Sequence, residues 1–423
     1  MQSIQRLVEF IKSSPTAWHA VKVVSQELEK KGFRLLDEGK PWKLKPGQAY
    51  YIVRNGSSLI AFVTPKKDPQ KAVVCASHTD SPALKLKPNA AYIKEGMLMF
   101  GVEVYGSPLL NSWLNRDLGI AGRVISESLV EKLVMVDHAP LVIPQLAIHF
   151  DKELNTHGLI LNRQDHLAAL GAIGITTQSE ANKYFHKLLG VKDLISSDLF
   201  LYPLEPPAFV GPNKEMLAAY RIDSLCSVHA ITSALTANPE PLTSTLKMCV
   251  LWDNEEIGSE TAHGAASPFF AETLERILLS LSLEREDYLQ IIPSSLCISV
   301  DLGHAVNPNY ADKHEPNHKN LLGNGIIIKH SANQRYASNA RTAAFIKSLC
   351  HKQKIPCQDV VSRSDLSPGT TVGPIHANST GMPTVDIGIA QLSMHSAREL
   401  VCCQDHENMI ALLGSIYAKE SYT

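Results

Sequence analysis

Four short apolar runs each end near a polar residue that can bind a metal ion, and this feature most constrains the fold of the chain. The runs are 72–76 before His78, 248–252 before Asp253, 298–300 before Asp301 and 385–389 before His395. Helical patterns at 223–235, 269–281 and 340–354 lie between most of them. This alternation predicts an α/β domain with a doubly wound, largely parallel sheet. Ligands of such sheets gather beyond the carboxyl ends of the strands, so the pattern predicts one common site.

A change in the sequence pattern divides the chain into two predicted domains. From Leu86 to Pro212, short alternating segments at 97–105, 118–125, 133–136 and 141–150 are separated by Gly, Pro and Asn turns. Short alternating segments of this kind, separated by turns, predict a β-rich insertion. The length of 423 residues also favours two domains. We therefore predict one domain formed by residues 1–85 and 213–423, with residues 86–212 inserted into it.

Charge and composition make several classes of partner improbable. The 40 basic and 42 acidic side chains give a net charge of -2, so nothing predicts binding to nucleic acid or to an anionic membrane. No apolar run approaches membrane-spanning length, and the first residues do not resemble a signal peptide. We expect a cytoplasmic protein. The 8 cysteines include no C-x-x-C pair, so we expect free thiols and metal ligands that are carboxylates and imidazoles.

The polar residues near the strand ends form a set of candidate ligands. Hydrolysis of a peptide bond requires an activated water, a Lewis acid and a base. Two metal ions about 3.5–4 Å apart supply the first two, and a carboxylate that binds neither ion supplies the third. Two ions that share one bridging carboxylate, with two further ligands each, need five side chains. The chain offers these candidates, in order: His78, Asp80, Asp223, Glu255, Glu256, Asp301 and His395.

The adjacent residues Glu255 and Glu256 suggest two different roles. Neighbouring side chains in extended backbone point to opposite sides, so one can bind a metal ion while the other faces the attacking water. The residues alone do not decide which glutamate has which role. Each candidate also has a simpler explanation, such as a loop histidine, a helix cap or a solvated pair of acids. Their coincidence near strand ends favours a site.

The sequence resembles the aspartyl aminopeptidase family of co-catalytic metallo-aminopeptidases over nearly its full length. The order and spacing of the matching segments agree as well as their residues. The resemblance implies a hydrolase that removes the first residue from short peptides with a free amino terminus. The segments are PTAWHAV, SHTDSP, WLNRDLGIAGRV, LAIHF, WDNEEIGSE, VDLGHAVNPNY, KHEPNHK, QRYASN, GTTVGPI and QLSMHSARE.

The resemblance implies two sets of metal ligands. His78, Asp223 and Asp301 would hold one divalent ion. Asp223, Glu256 and His395 would hold the other, so that Asp223 bridges the pair. Zinc is the metal expected for mixed imidazole and carboxylate ligands, and manganese or cobalt could substitute.

Further roles also follow from the resemblance. Glu255 would be the general base, and Asp80 would orient the ring of His78 by accepting a hydrogen bond from its second nitrogen. The matching segments also contain residues expected to contact substrate: His149, His304, Asn333, Gly369 and Thr370.

The family also implies an assembly. Its β-rich domain makes dimer contacts, and its dimers form a tetrahedral dodecamer in which a histidine of the LAIH segment reaches a neighbouring subunit's site. That residue would be His149 here. The chain departs from the family at Asn333, where acid-preferring members carry a lysine, so we expect a weakened preference for acidic first residues. The VNPNY and WLNRD segments also depart from the family pattern, but neither contains a proposed ligand.

Two other functions remain open from the sequence. A related two-metal amidase or carboxypeptidase would share the ligands, but a carboxypeptidase would need a cation for the substrate carboxylate. A non-catalytic assembly or cargo protein could keep the same fold. The complete ligand set and the retained Glu255 argue against that second alternative.

Overall fold

The computed structural model describes residues 2–420 and 422. Its strands are β1 (Arg34–Leu35), β2 (Ala49–Arg54), β3 (Ser58–Val63), β4 (Lys71–His78), β5 (Ala83–Lys94), β6 (Met97–Tyr105), β7 (Leu118–Ser126), β8 (Glu131–Leu141), β9 (Ala169–Ile173), β10 (Leu194–Pro203), β11 (Ala208–Val210), β12 (Met216–Ala219), β13 (Thr245–Trp252), β14 (Leu296–Val300), β15 (Gly303–His304), β16 (Ile326–His330), β17 (Cys357–Val361), β18 (Thr384–Leu392) and β19 (Glu399–Cys402).

The α-helices lie mainly outside the β-rich segment. They are α1 (Gln2–Lys12), α2 (Ala17–Lys30), α3 (Leu154–His157), α4 (Gln178–Leu189), α5 (Ile222–Ala237), α6 (Phe269–Ser280), α7 (Arg285–Ser294), α8 (Ala340–Gln353), α9 (Val372–Thr380) and α10 (Cys403–Tyr417). Within residues 2–420 and 422, none of the helices combines the length and the apolar character that a membrane crossing requires.

A mixed sheet of 13 strands forms the larger layer of the molecule. Its order is β1-β2-β3-β13-β4-β14-β18-β19-β12-β11, with β15 and β16 also paired to β18, and β17 paired to β16. The central strands β13, β4, β14 and β18 run parallel, whereas β2, β3, β12 and β19 add antiparallel pairs on the two sides. The parallel centre places the carboxyl ends of these four strands at one edge, as predicted.

Helices cover both faces of this sheet. Val73 and Cys75 of β4 pack in the cluster that includes α1, α2, α5, α8 and α10. Val74, between them, packs in the cluster that includes α6, α7 and α9. Successive side chains of a strand point to opposite faces, so a strand that is covered on both sides reads as an unbroken apolar run. The predicted doubly wound α/β fold is confirmed.

The β-rich segment forms a separate antiparallel sheet of 6 strands in the order β8-β7-β10-β5-β6-β9. It has its own core, in which the ring of Phe100 lies 5.4 Å from the ring of Phe185 on α4. In chain order, this sheet begins with β5 at Ala83 and ends with β10 at Pro203. The prediction of a β-rich region is confirmed, while the domain boundaries at residues 86 and 212 stay a prediction.

Two details of this region differ from the sequence-based expectation. The predicted strand at 141–150 is wrong: β8 ends at Leu141, and Ile148–Phe150 is a turn of 3-10 helix. Pro144 has no N–H to donate to a ladder, and the apolar side chains that follow it, including Phe150, are exposed. Helix α4 was not predicted, although Thr177 and Glu180 form a reciprocal capping box at its start.

All 8 cysteines of the chain are free, and most are buried. Cys75 of β4 lies beside Cys249 of β13 in parallel register within the core of the larger sheet. This result confirms the expectation of free thiols in apolar surroundings. It also leaves imidazoles and carboxylates as the groups that could bind a metal ion.

Candidate metal centre

The predicted ligands converge at the edge where the parallel strands end. His78 is the last residue of β4, and Asp301 follows directly after β14. Glu255 and Glu256 lie in a 3-10 turn (Glu255–Ile257) just beyond β13. Asp223 lies in the first turn of α5, where its ψ of 109° departs from helical backbone. The parallel order of the strands brings these residues together from distant parts of the chain.

One half of the site is buried and centred on His78. Its Nε2 lies 3.3 Å from Oδ1 of Asp223 and 3.4 Å from Oδ1 of Asp301. Two ligands about 2.0–2.1 Å from a tetrahedral ion lie about 3.3 Å apart, so this spacing fits a shared ion. Asp223 Oδ1 is also buried without a hydrogen-bond partner. A cation between these atoms would satisfy it.

The ring of His78 is oriented through its other nitrogen. Nδ1 lies 3.1 Å from the carbonyl oxygen of Asp80 and 3.5 Å from the Oδ1 atom of the same residue. A proton on Nδ1 that is donated to this carbonyl leaves Nε2 free to bind a metal ion. The structure therefore brings Asp80 to His78, and the main acceptor is its backbone carbonyl.

The other half of the site is more open and centred on His395. Its Nε2 lies 3.3 Å from Oε2 of Glu256 and 3.7 Å from Oδ2 of Asp223, while Nδ1 lies 3.0 Å from the carbonyl oxygen of Ser107. The two carboxylate oxygens of Asp223 thus face different histidines. His78, Asp223 and Glu256 each offer one atom that could bind a metal ion, and these three atoms all lie within 4.8 Å of one another. Glu256 is therefore near both halves.

Asp80 also holds the turn that carries the paired glutamates. Its Oδ1 accepts a hydrogen bond from the backbone N–H of Glu255 at 3.1 Å, and its Oδ2 accepts one from the N–H of Glu256 at 3.1 Å. The hydroxyl of Tyr105, on β6 of the second sheet, donates to Oδ2 at 2.7 Å. The side chain of Asp80 thus fixes the Glu255–Glu256 backbone.

The carboxylates of the site are crowded, and their pKa values reflect this crowding. Loss of solvation, together with the neighbouring carboxylates of Asp301, Asp80 and Asp223, raises the pKa of Glu255 to about 8. Burial likewise raises the pKa of Glu256 well above its usual range, with Asp223 adding to the effect. Burial alone would raise the pKa of Asp301, but the ammonium of Lys329, 3.2 Å from Oδ2, lowers it. Such a cluster of acids binds protons unless cations replace them.

The predicted substrate residues do not all lie together. A cavity of about 390 Å³ opens beside the site, and His304 and Gly369 line it. Thr370 and Asn333 are exposed and lie outside its lining. His149 is exposed on the 3-10 turn that follows β8, in the second sheet's part of the chain.

Sequence reasoning missed two side chains that support the site. Glu399 accepts hydrogen bonds from the backbone N–H groups of His395 and Asp223. Tyr105 donates to Asp80 from the second sheet. Glu399 belongs to the segment QLSMHSARE and lies four residues after the predicted ligand His395. The available sequence signal was therefore an acidic residue close to a predicted ligand in a matching segment.

Comparisons with known proteins give a consistent result. A family model described as "Aminopeptidase I zinc metalloprotease (M18)" matches residues 10–417. A probable M18 family aminopeptidase 2 of Streptomyces avermitilis is 40% identical over 411 residues, which cover 96% of this chain and 95% of the relative. A probable aspartyl aminopeptidase of Ricinus communis is 36% identical over 449 residues, with 94% and 91% covered. The solved "S. cerevesiae mApe1 dodecamer" aligns with a TM-score of 0.83 at 28% identity, covering 98% of this chain and 96% of that one.

Proposed function

The chain belongs to the M18 family of zinc metallo-aminopeptidases, and from this premise we propose that it cleaves the first residue from short peptides with two divalent ions held by five side chains. One ion is held by His78, Asp223 and Asp301, and the other by Asp223, Glu256 and His395. The observation that carries the proposal is the carboxylate of Asp223, whose two oxygens face the two histidines separately. Zinc is the proposed metal, and manganese or cobalt can replace it.

The proposed ions and the side chain of Glu255 have different roles in catalysis. The bound ions supply a nucleophilic water and a Lewis acid for the substrate carbonyl. Glu255 takes the proton from the attacking water and delivers it to the departing amine. Burial and the neighbouring carboxylates raise the pKa of Glu255 to about 8 in the metal-free site, and bound cations would lower it, so that Glu255 is an ionised base when both ions are present. A carboxypeptidase would share these ligands, so the aminopeptidase is favoured by the family model and the relatives, which are aminopeptidases.

The direct test is the variant Glu255→Gln. An amide of the same shape cannot accept the proton, so turnover should fall about a hundred- to ten-thousandfold. The metal content should stay at two ions per chain, because Glu255 is not a proposed ligand. Turnover above a tenth of the wild-type value would contradict the assignment. Cleavage of an amino-terminally acetylated peptide as fast as its free-amine parent would favour the amidase alternative.

We also propose a homo-oligomer, a tetrahedral dodecamer built from dimers, in which His149 completes a neighbouring subunit's site. The yeast relative named above is a dodecamer. In this chain His149 is flanked by Ile148 and Phe150, whose side chains are 43% and 81% exposed, and Leu146 nearby is 62% exposed. A cluster of large exposed apolar side chains is typical of a surface that another subunit covers.

Mixed oligomers test this arrangement. His149→Phe alone and Glu255→Gln alone should each be nearly inactive. When the two variants are assembled together, some interfaces combine an intact base with an intact His149, so activity should return. A monomer in light scattering, or mixed oligomers as inactive as the separate variants, would exclude the role of His149 in the neighbouring site.

For the substrate side chain, we propose a preference for acidic first residues that is weaker than in lysine-bearing relatives. The ammonium of Lys329 lines the cavity, but it is bound to Asp301 Oδ2 at 3.2 Å and to the carbonyl oxygen of Leu302 at 2.7 Å. The guanidinium of Arg363 is held by both carboxylate oxygens of Asp365. These two cations are already paired. The ammonium of Lys313, which also lines the cavity, is exposed and lies 3.9 Å from Oδ2 of Asp312, so water screens it. Little fixed positive charge therefore remains to compensate a substrate carboxylate.

A further inference from the structure

We propose that Glu399 is a positioning residue that holds His395 and Asp223 at the separation needed to share a metal ion. The inference rests on the proposed ligand roles of these two residues. The Oε1 atom of Glu399 accepts the backbone N–H of His395 at 2.7 Å, and its Oε2 atom accepts the backbone N–H of Asp223 at 3.0 Å. A single side chain thus binds the main chain of two proposed ligands.

Both ligand segments have backbone conformations that need support. His395 has a φ of 66°, and Ser393 in the same turn has a φ of 55°. Arg221, two residues before Asp223, has a φ of 62°. Left-handed backbone is uncommon for residues other than glycine and persists when surrounding contacts hold it. The two hydrogen bonds to Glu399 are contacts of this kind, and they join segments that lie far apart in the sequence.

Glu399 is buried, and both of its carboxyl oxygens accept backbone N–H groups of the site. The residue is 2% exposed, and no lysine, arginine or histidine forms an ion pair with it among residues 2–420 and 422. A buried carboxylate without a cationic partner is costly. Glutamine in the same shape would present one acceptor and one amide donor, so one of the two backbone N–H groups would face another donor. The two contacts therefore need two acceptor oxygens, which glutamine does not offer.

Asp80 makes the corresponding contacts on the other side of the site. It accepts the backbone N–H groups of Glu255 and Glu256, which are neighbours in one turn. Glu399 instead connects the start of α5 with the turn after β18. The pairing of β12 with β19 already brings these segments together. The two hydrogen bonds to Glu399 then set the distance between two proposed ligands, whereas Asp80 holds the shape of one turn.

The experiment compares Glu399→Gln with the matched control Asp405→Asn. Asp405 is also fully buried and also accepts two backbone N–H groups, those of Gly323 and Gly325, but none of the proposed ligands. Metal-free protein is titrated with zinc alone, in competition with a chromophoric chelator, and kcat and KM are measured with zinc present. Thermal unfolding of each metal-free variant reports the loss of stability.

We expect Glu399→Gln to weaken the binding of one of the two ions roughly ten- to a hundredfold, as is typical when a group that orients a ligand is removed. The value of kcat should fall more than KM rises. Glu399→Asp keeps both acceptors on a shorter side chain and should recover part of the affinity. Asp405→Asn should lower stability without changing the affinity for zinc.

Two results would overturn the inference. The first is wild-type affinity for both ions in Glu399→Gln and Glu399→Asp. The second is an equal loss of affinity in Asp405→Asn, which would trace the effect to general destabilisation. If Glu399→Gln does not fold, the comparison is made with Glu399→Asp. Binding of fewer than two ions by the wild-type protein would instead refute the proposed two-ion function, so the two failures are distinguishable.

Discussion

The two halves of the metal centre are built in different ways. The side chain of His78 stands at the end of a central parallel strand and is 2% exposed, whereas that of His395 stands on a turn and is 28% exposed. Asp223 connects them. The half with His78 is held by strand ends in a sheet that helices cover on both faces, so we expect it to be rigid. The half with His395 lies on a partly exposed turn that a peptide can reach. In the proposed site, we expect the buried half to anchor the ions and the open half to admit the substrate.

The largest effect should come from removing the residue that the two halves share. Asp223→Ala takes one ligand from each proposed ion, so both ions should be lost and turnover should fall to background. Metal analysis of the purified variant, together with a peptide cleavage assay, measures this result. Two ions per chain in Asp223→Ala would refute the bridging role, and one ion would identify the half that holds its metal without the bridge.

A smaller effect should separate the halves from each other. His78→Ala removes a buried ring from beside the buried carboxylate of Asp223, which costs about 1–3 kcal/mol for an unsatisfied buried group, whereas Asp301 keeps Lys329. His395→Ala removes a partly exposed ring, and water can replace its contacts. Urea unfolding of the metal-free variants should therefore show a larger loss of stability for His78→Ala. Equal losses would mean that the buried half does not anchor the fold.

The smallest effect should come from Asn333→Lys, a change at an exposed position outside the cavity lining. Asn333 is exposed and lies outside the cavity lining, so water screens an added ammonium there. We expect at most about a tenfold gain in kcat/KM for Asp over Leu substrates, equivalent to about 1.4 kcal/mol. If wild type already favours Asp more than about a hundredfold and the lysine adds nothing, the acid-binding cation lies elsewhere.

The sequence predicted the parts of the site that depend on strand order. His78 and Asp301 directly end or follow apolar runs, and the carboxyl ends of parallel strands meet at one edge, so their proximity follows from the pattern. Glu255 and Glu256 lie just beyond another such run. In these places the position of a residue in its element determines its position in space.

The parts that the sequence did not predict depend on the path of the backbone. Glu399 acts through the N–H groups of other residues, and those groups carry no sequence signature. Tyr105 reaches Asp80 from the second sheet, so its role depends on how the two sheets pack. At 141–150 the alternating apolar residues suggested a strand, but Pro144 interrupts the ladder and the large apolar side chains after it remain exposed.

The left-handed backbone of His395 restricts which amino acids can occupy that position. Histidine, asparagine and aspartate are the residues other than glycine that most often adopt this conformation, whereas β-branched residues rarely do. A saturation library at position 395 that is selected for folding alone should therefore retain Gly, Asn and Asp and lose Val and Ile. Of these tolerated substitutions, only aspartate carries an ionised ligand. Evolutionary exchange of this proposed metal ligand should thus be limited by backbone geometry as well as by coordination chemistry.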